Sequence, residues 1–314
     1  MKKICVIGSI NIDLVATMEH FPVPGEVVVC QKFNEYYGGK GANQAVGLGK
    51  LGADVSFIGK IGNDKYGDSL LKNLKKNNVK IDNVFKDNSM HSGISLIFID
   101  SKGQNSIAHI SGANGNLSLA DIMKARGMLH ESDIILLQLE IPLDIVFYII
   151  ENYSQGDKTI ILDPAPFHSI PGNILSRISI MTPNRVEMEL LTCIKIKDKN
   201  DSLKASSILL DKGVKNVINK LDNYGVLIAS KDSNTFLKSI KVNAVDTVGA
   251  GDAFNAGLAF GLSHGKNLIE SSEIANLIGA ISVTRKGAQD SMPDISEIKR
   301  FISERCLKKF YDLF

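Results

Sequence analysis

Short apolar runs separated by helical patterns restrict this chain to one architecture. The runs fall at 3–8, 54–59, 134–138, 159–162, 178–181 and 215–219. Helical periodicity predicts helices over 41–51, 64–77, 118–130, 142–153, 184–192, 201–212, 252–263, 270–284 and 294–308. Ser118 with Asp121 has the form of a capping box, and Gly52 and Gly213 mark helix ends. A strand that is apolar on both sides has no face to give to water. Such strands alternating with helices imply an α/β fold, a mostly parallel sheet covered on both faces.

Two stretches break the rhythm. Residues 10–37 hold strand-like runs (Ile10 to Ala16, Glu26 to Lys32, Phe33 to Tyr37) around Pro22, Pro24 and Gly25. Residues 92–110 read as a hairpin turning at Ser101-Lys102-Gly103. These antiparallel strands form a lid over a ligand site or a dimer contact, or else a structural edge extension. With no internal repeat or linker, residues 1–314 are expected to make a single domain carrying this small β appendage.

Composition narrows the partners. The 36 basic and 34 acidic residues leave a net charge of +2, and Lys and Arg are scattered, so nothing points to nucleic acid or an anionic membrane. No stretch approaches the ~18 to 20 apolar residues of a membrane span. The opening Met1 to Gly8 run is too short for a secretory signal and is broken by Asn11 and Asp13, so it reads as a buried first strand. Cys5, Cys30, Cys193 and Cys306 lie far apart, which fits reduced thiols in a cytoplasmic protein.

The densest motif is Asp246-Thr247-Val248-Gly249-Ala250-Gly251-Asp252, running into an apolar helical pattern. Small residues let backbone N–H groups converge, and the first N–H groups of a helix attract anions. A carboxylate there repels the anion, so Asp252 is either a general base beside a phosphate cradle or an N-cap. Gly38-Gly39-Lys40-Gly41-Ala42-Asn43-Gln44-Ala45 is a second glycine-rich turn opening a helix, with Lys40 and Asn43 facing a common ligand. Gly47-Leu48-Gly49-Lys50-Leu51-Gly52 matches a dinucleotide-binding pattern, but it closes a helix instead of opening one, which excludes that use. Asn11 and Asp13 share one face of an extended segment and suit adjacent sugar hydroxyls, or else a turn. Glu140 ends the strand 134–138, where open α/β sheets place ligand groups. Asn184 and Glu187, one turn apart, serve either Mg²⁺ through water or a capping box.

The motifs taken together resemble the ribokinase/PfkB family of carbohydrate kinases. The matching segments are Gly8 to Asp13, Gly38 to Ala45, Ser111 to Asn114, Gln138 to Pro142, Thr182 to Asn184, Asp246 to Phe254 and Val283 to Gln289. The resemblance implies the family's three-layer sandwich with a β-strand lid and an ATP-dependent transfer to the O5 hydroxyl of a sugar such as D-ribose. It implies that Asp252 is the catalytic base and that Gly249, Ala250 and Gly251 form the anion hole. Asn11, Asp13, Gly39, Lys40, Asn43 and Glu140 match sugar contacts. Asn184, Lys220, Leu221, Asp222, Asn223, Tyr224, Gly225, Gly251 and Asn276 match nucleotide contacts, and Glu187 the Mg²⁺-associated acid. Asp246, Val248, Ser282, Arg285, Gly287 and Ser291 match a K⁺ site built mostly of carbonyls. ATP, Mg²⁺ and K⁺ are therefore the implied cofactors, and a homodimer the implied assembly. Alternatives are a kinase for 2-deoxyribose, fructose or a nucleoside, or a binding protein without catalysis.

One segment departs from the family. Where Thr-Leu-Gly is usual, this chain has Lys220-Leu221-Asp222, which places a side chain and a negative charge near the nucleotide. Either Lys220 offsets that charge and donor binding changes, or Asp222 points to solvent in a left-handed turn.

Overall fold

A computed structural model describes residues 1–314, the side chain of Asp312 excepted. In chain order the strands are β1 (Ile4–Ile7), β2 (Asn11–Thr17), β3 (Lys32–Gly38), β4 (Val55–Gly62), β5 (Lys80–Asp87), β6 (Gly93–Ile99) and β7 (Asn105–Ile110), followed by β8 (Ile134–Leu137), β9 (Thr159–Leu162), β10 (Ile180–Met181), β11 (Asn216–Lys220), β12 (Gly225–Ser230) and β13 (Asn234–Lys238). The helices are α1 (Lys40–Lys50), α2 (Lys65–Lys76), α3 (Leu119–Lys124), α4 (Arg126–Glu131), α5 (Leu143–Tyr153), α6 (Gly172–Leu175), α7 (Arg185–Thr192), α8 (Lys199–Asp211), α9 (Ala250–Ser263), α10 (Leu268–Ser282) and α11 (Ile295–Glu304).

Nine strands form the large sheet in the order β13-β12-β11-β10-β9-β8-β1-β4-β5. Only the β11–β12 and β12–β13 pairs are antiparallel. β1 shows why the apolar runs had to be central. Its four residues are all buried, with Ile4 and Val6 packed into one core and Cys5 and Ile7 into the other. The period of two thus sends alternate side chains into two apolar layers. Each buried Ile or Val contributes about 1.5–3 kcal/mol relative to exposure. Helices α1, α2 and α9–α11 cover one face, and α3–α8 the other, which makes the α/β three-layer sandwich.

β1 pairs in parallel with β4 on one side and β8 on the other, so strand order reverses there. Ligands in such sheets bind beyond the carboxyl ends of the strands at the reversal. β2, β3, β6 and β7 make a separate four-stranded sheet in the order β3-β2-β6-β7. Gly39, N-cap of α1, holds the two sheets close. Its φ is +87°, and a Cβ there would stand 2.7 Å from the Ile10 Cα. Only glycine meets both demands.

The structure corrects several expectations. Glu26 to Lys32 forms no strand before Lys32. Its Val27 and Val29 are 92% and 86% exposed, an alternating pattern with no partner strand to bury it. The helix expected over 118–130 is two, α3 and α4, divided at Ala125. The helix expected over 294–308 stops at Glu304 before Cys306 turns left-handed at φ +51°. β5 and the β12–β13 hairpin were not foreseen.

Candidate active site

α9 begins within the run of small residues, at Ala250. Gly249 is its N-cap, left-handed at φ +76°, with no side-chain cap. Asp252 therefore does not cap the helix and lies inside its first turn. The N–H groups of Gly249, Gly251 and Asp252 donate to no described group, whereas that of Ala250 reaches the Thr247 carbonyl at 3.2 Å. Unengaged N–H groups at a helix start attract anions.

Asp252 is 5% exposed. Its Oδ2 accepts from Asn43 Nδ2 at 2.8 Å and its Oδ1 from Gln44 Nε2 at 3.0 Å. Burial pushes its carboxyl up to about 6; the Lys40 ammonium opposes that shift and Asp163 adds to it. Lys40 is raised in turn: burial alone would lower it, but Asp252, Asp163, Glu140 and Glu187 together prevail. A buried carboxylate held ionised near neutrality by one ammonium has the properties of a general base.

A cleft of about 1080 Å³ opens from Asp252. It gathers Lys40, Asn184, Glu187, Lys220, Asp222, Asn223, Gly225, Gly249, Ala250, Gly251 and Asn276, eleven residues read from sequence as ligand contacts. Two members of the nucleotide segment lie elsewhere. Leu221 is buried in the core, and Tyr224 is 76% exposed outside the cleft wall. Asn184 and Glu187 do form the capping box: Asn184 N–H donates to Glu187 Oε2 and Asn184 Nδ2 to Oε1, each at 2.8 Å. Glu187 nevertheless faces the cleft, and burial raises its carboxyl, with Lys220 opposing and Asp163 reinforcing.

Asp222 settles its own ambiguity. It takes the left-handed conformation at φ +50°, stays 65% exposed, and stands 3.7 Å from Arg185. Asp tolerates that backbone, and the charge faces solvent at the cleft mouth. Lys220 turns inward, with Nζ 3.2 Å from Asp163 Oδ1 and 3.4 Å from where a Cβ on Gly251 would stand.

Of the proposed sugar contacts Lys40 lines the cleft, while Asn11, Asp13 and Glu140 are placed by β2 and the segment after β8. Asn11 and Asp13 share one side of β2, as their spacing predicts. Asn11 Oδ1 accepts from Asn114 Nδ2 at 2.7 Å, and Asn114 also bonds both backbone groups of Ile10. Asp13 is pushed up to about 6, first by burial; the Ser95 hydroxyl opposes this and Glu140 adds to it. Glu140 accepts from the Ser9 hydroxyl and from the Lys40 N–H at 3.2 Å, so it also anchors the start of α1.

Behind the helix start, Asp246 accepts from Val248 N–H at 3.0 Å and Gly287 N–H at 2.9 Å, tying two loops together. The carbonyls of Asp246, Val248, Arg285 and Gly287 accept no hydrogen bond among the described residues. The Ser282 carbonyl takes Arg285 N–H, the Ser291 hydroxyl donates to the Ala288 carbonyl, and the Arg285 side chain pairs with Glu297 at 2.7 Å.

Asp163 was missed in the sequence. It is 2% exposed, bonds Gln44 and Lys220, and perturbs both neighbouring carboxyls. The signal was present, because Asp163 directly follows the apolar run 159–162 at a strand's carboxyl end. Gln44 and Gln289 were also passed over, since an amide in a motif carries no chemistry until its partners are known.

A buried carboxylate beside a helix start with unengaged N–H groups, at the reversal point of a mostly parallel sheet, is an arrangement suited to moving a phosphoryl group onto an alcohol. The sequence pattern of the pfkB family carbohydrate kinases matches residues 1–295, and the chain belongs to that family. It is 36% identical to the ribokinase of Haemophilus influenzae over 301 residues, 96% of this chain and 98% of that protein. It is 34% identical to a deoxyribokinase of Salmonella typhi over 301 residues, with the same coverage. The structure of Arabidopsis thaliana ribokinase complexed with ribose and ATP is similar at a TM-score of 0.89 and 30% identity, covering 96% of this chain and 98% of that one. The chain is an ATP-dependent sugar kinase.

Proposed function

We propose that this enzyme is a ribokinase: it transfers the γ-phosphoryl group of ATP to the O5 hydroxyl of D-ribose, giving D-ribose 5-phosphate and ADP. The observation that carries the reading is the buried Asp252 carboxylate, clamped by Asn43 and Gln44 at the mouth of the anion-binding turn. Asn11, Asp13, Gly39, Asn43 and Glu140 hold the sugar so that O5 faces Asp252. Asp252 accepts the hydroxyl proton as the oxygen attacks. The free N–H groups of Gly249 and Gly251 receive charge on the transferring group, with Ala250 turning the backbone between them.

Mg²⁺ on the donor phosphates would supply further charge neutralisation. Glu187, with both oxygens already bonded, would hold it through water. The four unengaged carbonyls at Asp246, Val248, Arg285 and Gly287, on two loops that Asp246 ties together, suit a monovalent cation, with Ser282 at the end of α10 and Ser291 further along the second loop. K⁺ there would fix the loop that aligns the Gly249 and Gly251 amides.

The β2-β3-β6-β7 sheet serves as a lid over the sugar. Its exposed Phe33, Ile107 and Ile110 supply the apolar surface of a homodimer contact. The whole chain acts as one domain, and its free thiols at Cys5, Cys30, Cys193 and Cys306 support a cytoplasmic location. The likeness to a deoxyribokinase makes 2-deoxyribose the second substrate to try. ADP release across ribose, 2-deoxyribose, fructose and adenosine, in K⁺ or Na⁺, tests the reading. Fastest turnover on ribose supports it, and preference for another substrate overturns the assignment.

Two further outcomes are expected. Lys220 lies against the anion turn, so Lys220→Met should weaken ATP and ADP binding about tenfold while leaving AMP and adenosine unchanged. Equal loss along that series, read by calorimetry, would place Lys220 in a structural role only. The pH profile should fall below about pH 6, because Asp252 and Asp13 both act ionised and both are raised to about 6. The same raised values mean that the folded state binds these protons more readily than the unfolded chain. Their contribution to stability is full below about pH 4 and is lost as pH rises through 6. Activity should therefore fall toward acid while these two groups act to raise Tm, and a profile flat to pH 5 would contradict the assignment.

A further inference from the structure

Asp252 stands at the end of a line of carboxamides. Asn43 donates to its Oδ2, which leaves Asn43 Oδ1 facing Gln289 Nε2 at 3.0 Å. Gln289 Oε1 accepts from Asn73 Nδ2 at 2.6 Å, and Asn73 accepts from Asn77 Nδ2 at 3.3 Å. Four amides from α1, the loop after α10, and α2 with its C-cap thus point the same way.

The direction has a physical cause. A carboxylate only accepts, whereas a carboxamide donates at one end and accepts at the other. Each amide in the line fixes the polarity of the next. Gln289 is 4% exposed and can turn over only by facing donor to donor at Asn73 and acceptor to acceptor at Asn43. Its backbone carbonyl is also held, accepting from Lys50 Nζ at 2.8 Å. Buried networks of this kind rigidify when every member is satisfied.

We propose that Gln289 is a positioning residue for the phosphoryl-transfer base: with Asn73 behind it, Gln289 holds the Asn43 carboxamide with its NH₂ turned toward Asp252. The carboxylate thereby keeps a donor that favours its ionised form. The charged groups facing Asp252 are Lys40 from α1 and Asp163 after β9, with Lys220 paired to the latter. None of them touches Gln289, so the amide line acts independently of them. Gln289 also lies between Gly287 and Ser291, so its side chain joins that loop to Asn43 and through it to Asp252. This inference rests on the reading of Asp252 as the base, but its test does not.

The test is a ¹³C titration of the Asp252 carboxyl, assigned by its loss in Asp252→Asn, in the parent and in two variants. Gln289→Met keeps length and removes both polar ends. Asn73→Leu leaves Gln289 in place and removes the donor at its Oε1, while the Gly38 carbonyl still accepts from its Nε2 at 3.4 Å. The Asp252 pKa is expected to rise by about one unit in Gln289→Met and by less, in the same direction, in Asn73→Leu. In turnover assays the same variants should lose about fivefold in kcat/KM at pH 6 for a one-unit rise and little at pH 8.5. A titration unmoved in both variants would overturn the proposal, even if both lower Tm. If Asp252→Asn keeps full turnover, the assignment of the base falls, while the titration still decides the role of Gln289.

Discussion

Asp252→Asn is expected to lower kcat by about 10² to 10⁴ while nucleotide still binds, because the substitution keeps the side chain's shape and removes only its capacity to take a proton. The cleft has many lining residues besides Asp252, among them Asn184, Asn223, Gly225 and Asn276. ATP affinity, measured without sugar, should therefore change little. Sugar affinity should also hold, since Asp13 and Glu140 remain. A variant in which binding collapses together with turnover would point instead to a structural Asp252. One local cost is expected. The introduced carboxamide would turn an N–H toward Asn43 or Gln44, both of which now donate to the carboxylate. A Tm change of a few degrees is thus compatible with the base role, and unfolding is not.

Gly249→Ala should lower kcat by about 10² to 10³. Two demands meet at this position. The backbone is left-handed at φ +76°, which costs an L-residue about 1–2 kcal/mol. A Cβ there would also stand 3.0 Å from the Ala288 Cα, so the turn must move away from the loop behind it. That displacement misaims the Gly249 and Gly251 N–H groups. Gly265 supplies a matched control. It has the same φ of +76° and nothing within 4 Å of an added Cβ. Gly265→Ala should lower Tm through backbone strain alone and leave kcat unchanged. If the two variants behave alike in turnover, strain and not displacement of the anion turn explains the loss.

The central strands were readable because each carries a local signal. β1, β4, β8, β9, β10 and β11 are short apolar runs between helical patterns, and burial on both faces demands that composition. The capping boxes at Ser118 and Asn184 were readable for the same reason, since donor and acceptor lie three residues apart. β5 was not, because Lys80 to Asp87 mixes charged with apolar residues and is held in the sheet by its pairing with β4. β12 and β13 turn through Lys231-Asp232-Ser233, without the glycine that would have marked a hairpin. Conversely, the alternating valines near Glu26 looked like a strand and stayed exposed, because alternation stabilises a strand only where a sheet edge receives it.

The site divides along the same line. Residue order alone established that Gly249 to Asp252 opens a helix, that Gly39 to Gln44 opens another, and that Asn11 and Asp13 share a face. These are properties of neighbours along the chain, set by the periods of helix and strand. Packing decided the rest. Residues 44, 163 and 252 become one hydrogen-bonded group only when α1, the end of β9 and α9 converge at the sheet's reversal point. The raised Asp252 carboxyl is a property of that burial, not of the Gly-Ala-Gly-Asp motif. The polarity of the Asn43 amide likewise depends on partners 209 and 246 residues away. Desolvation and hydrogen-bond direction depend on distances in space, and the linear sequence carries those only through the fold it specifies.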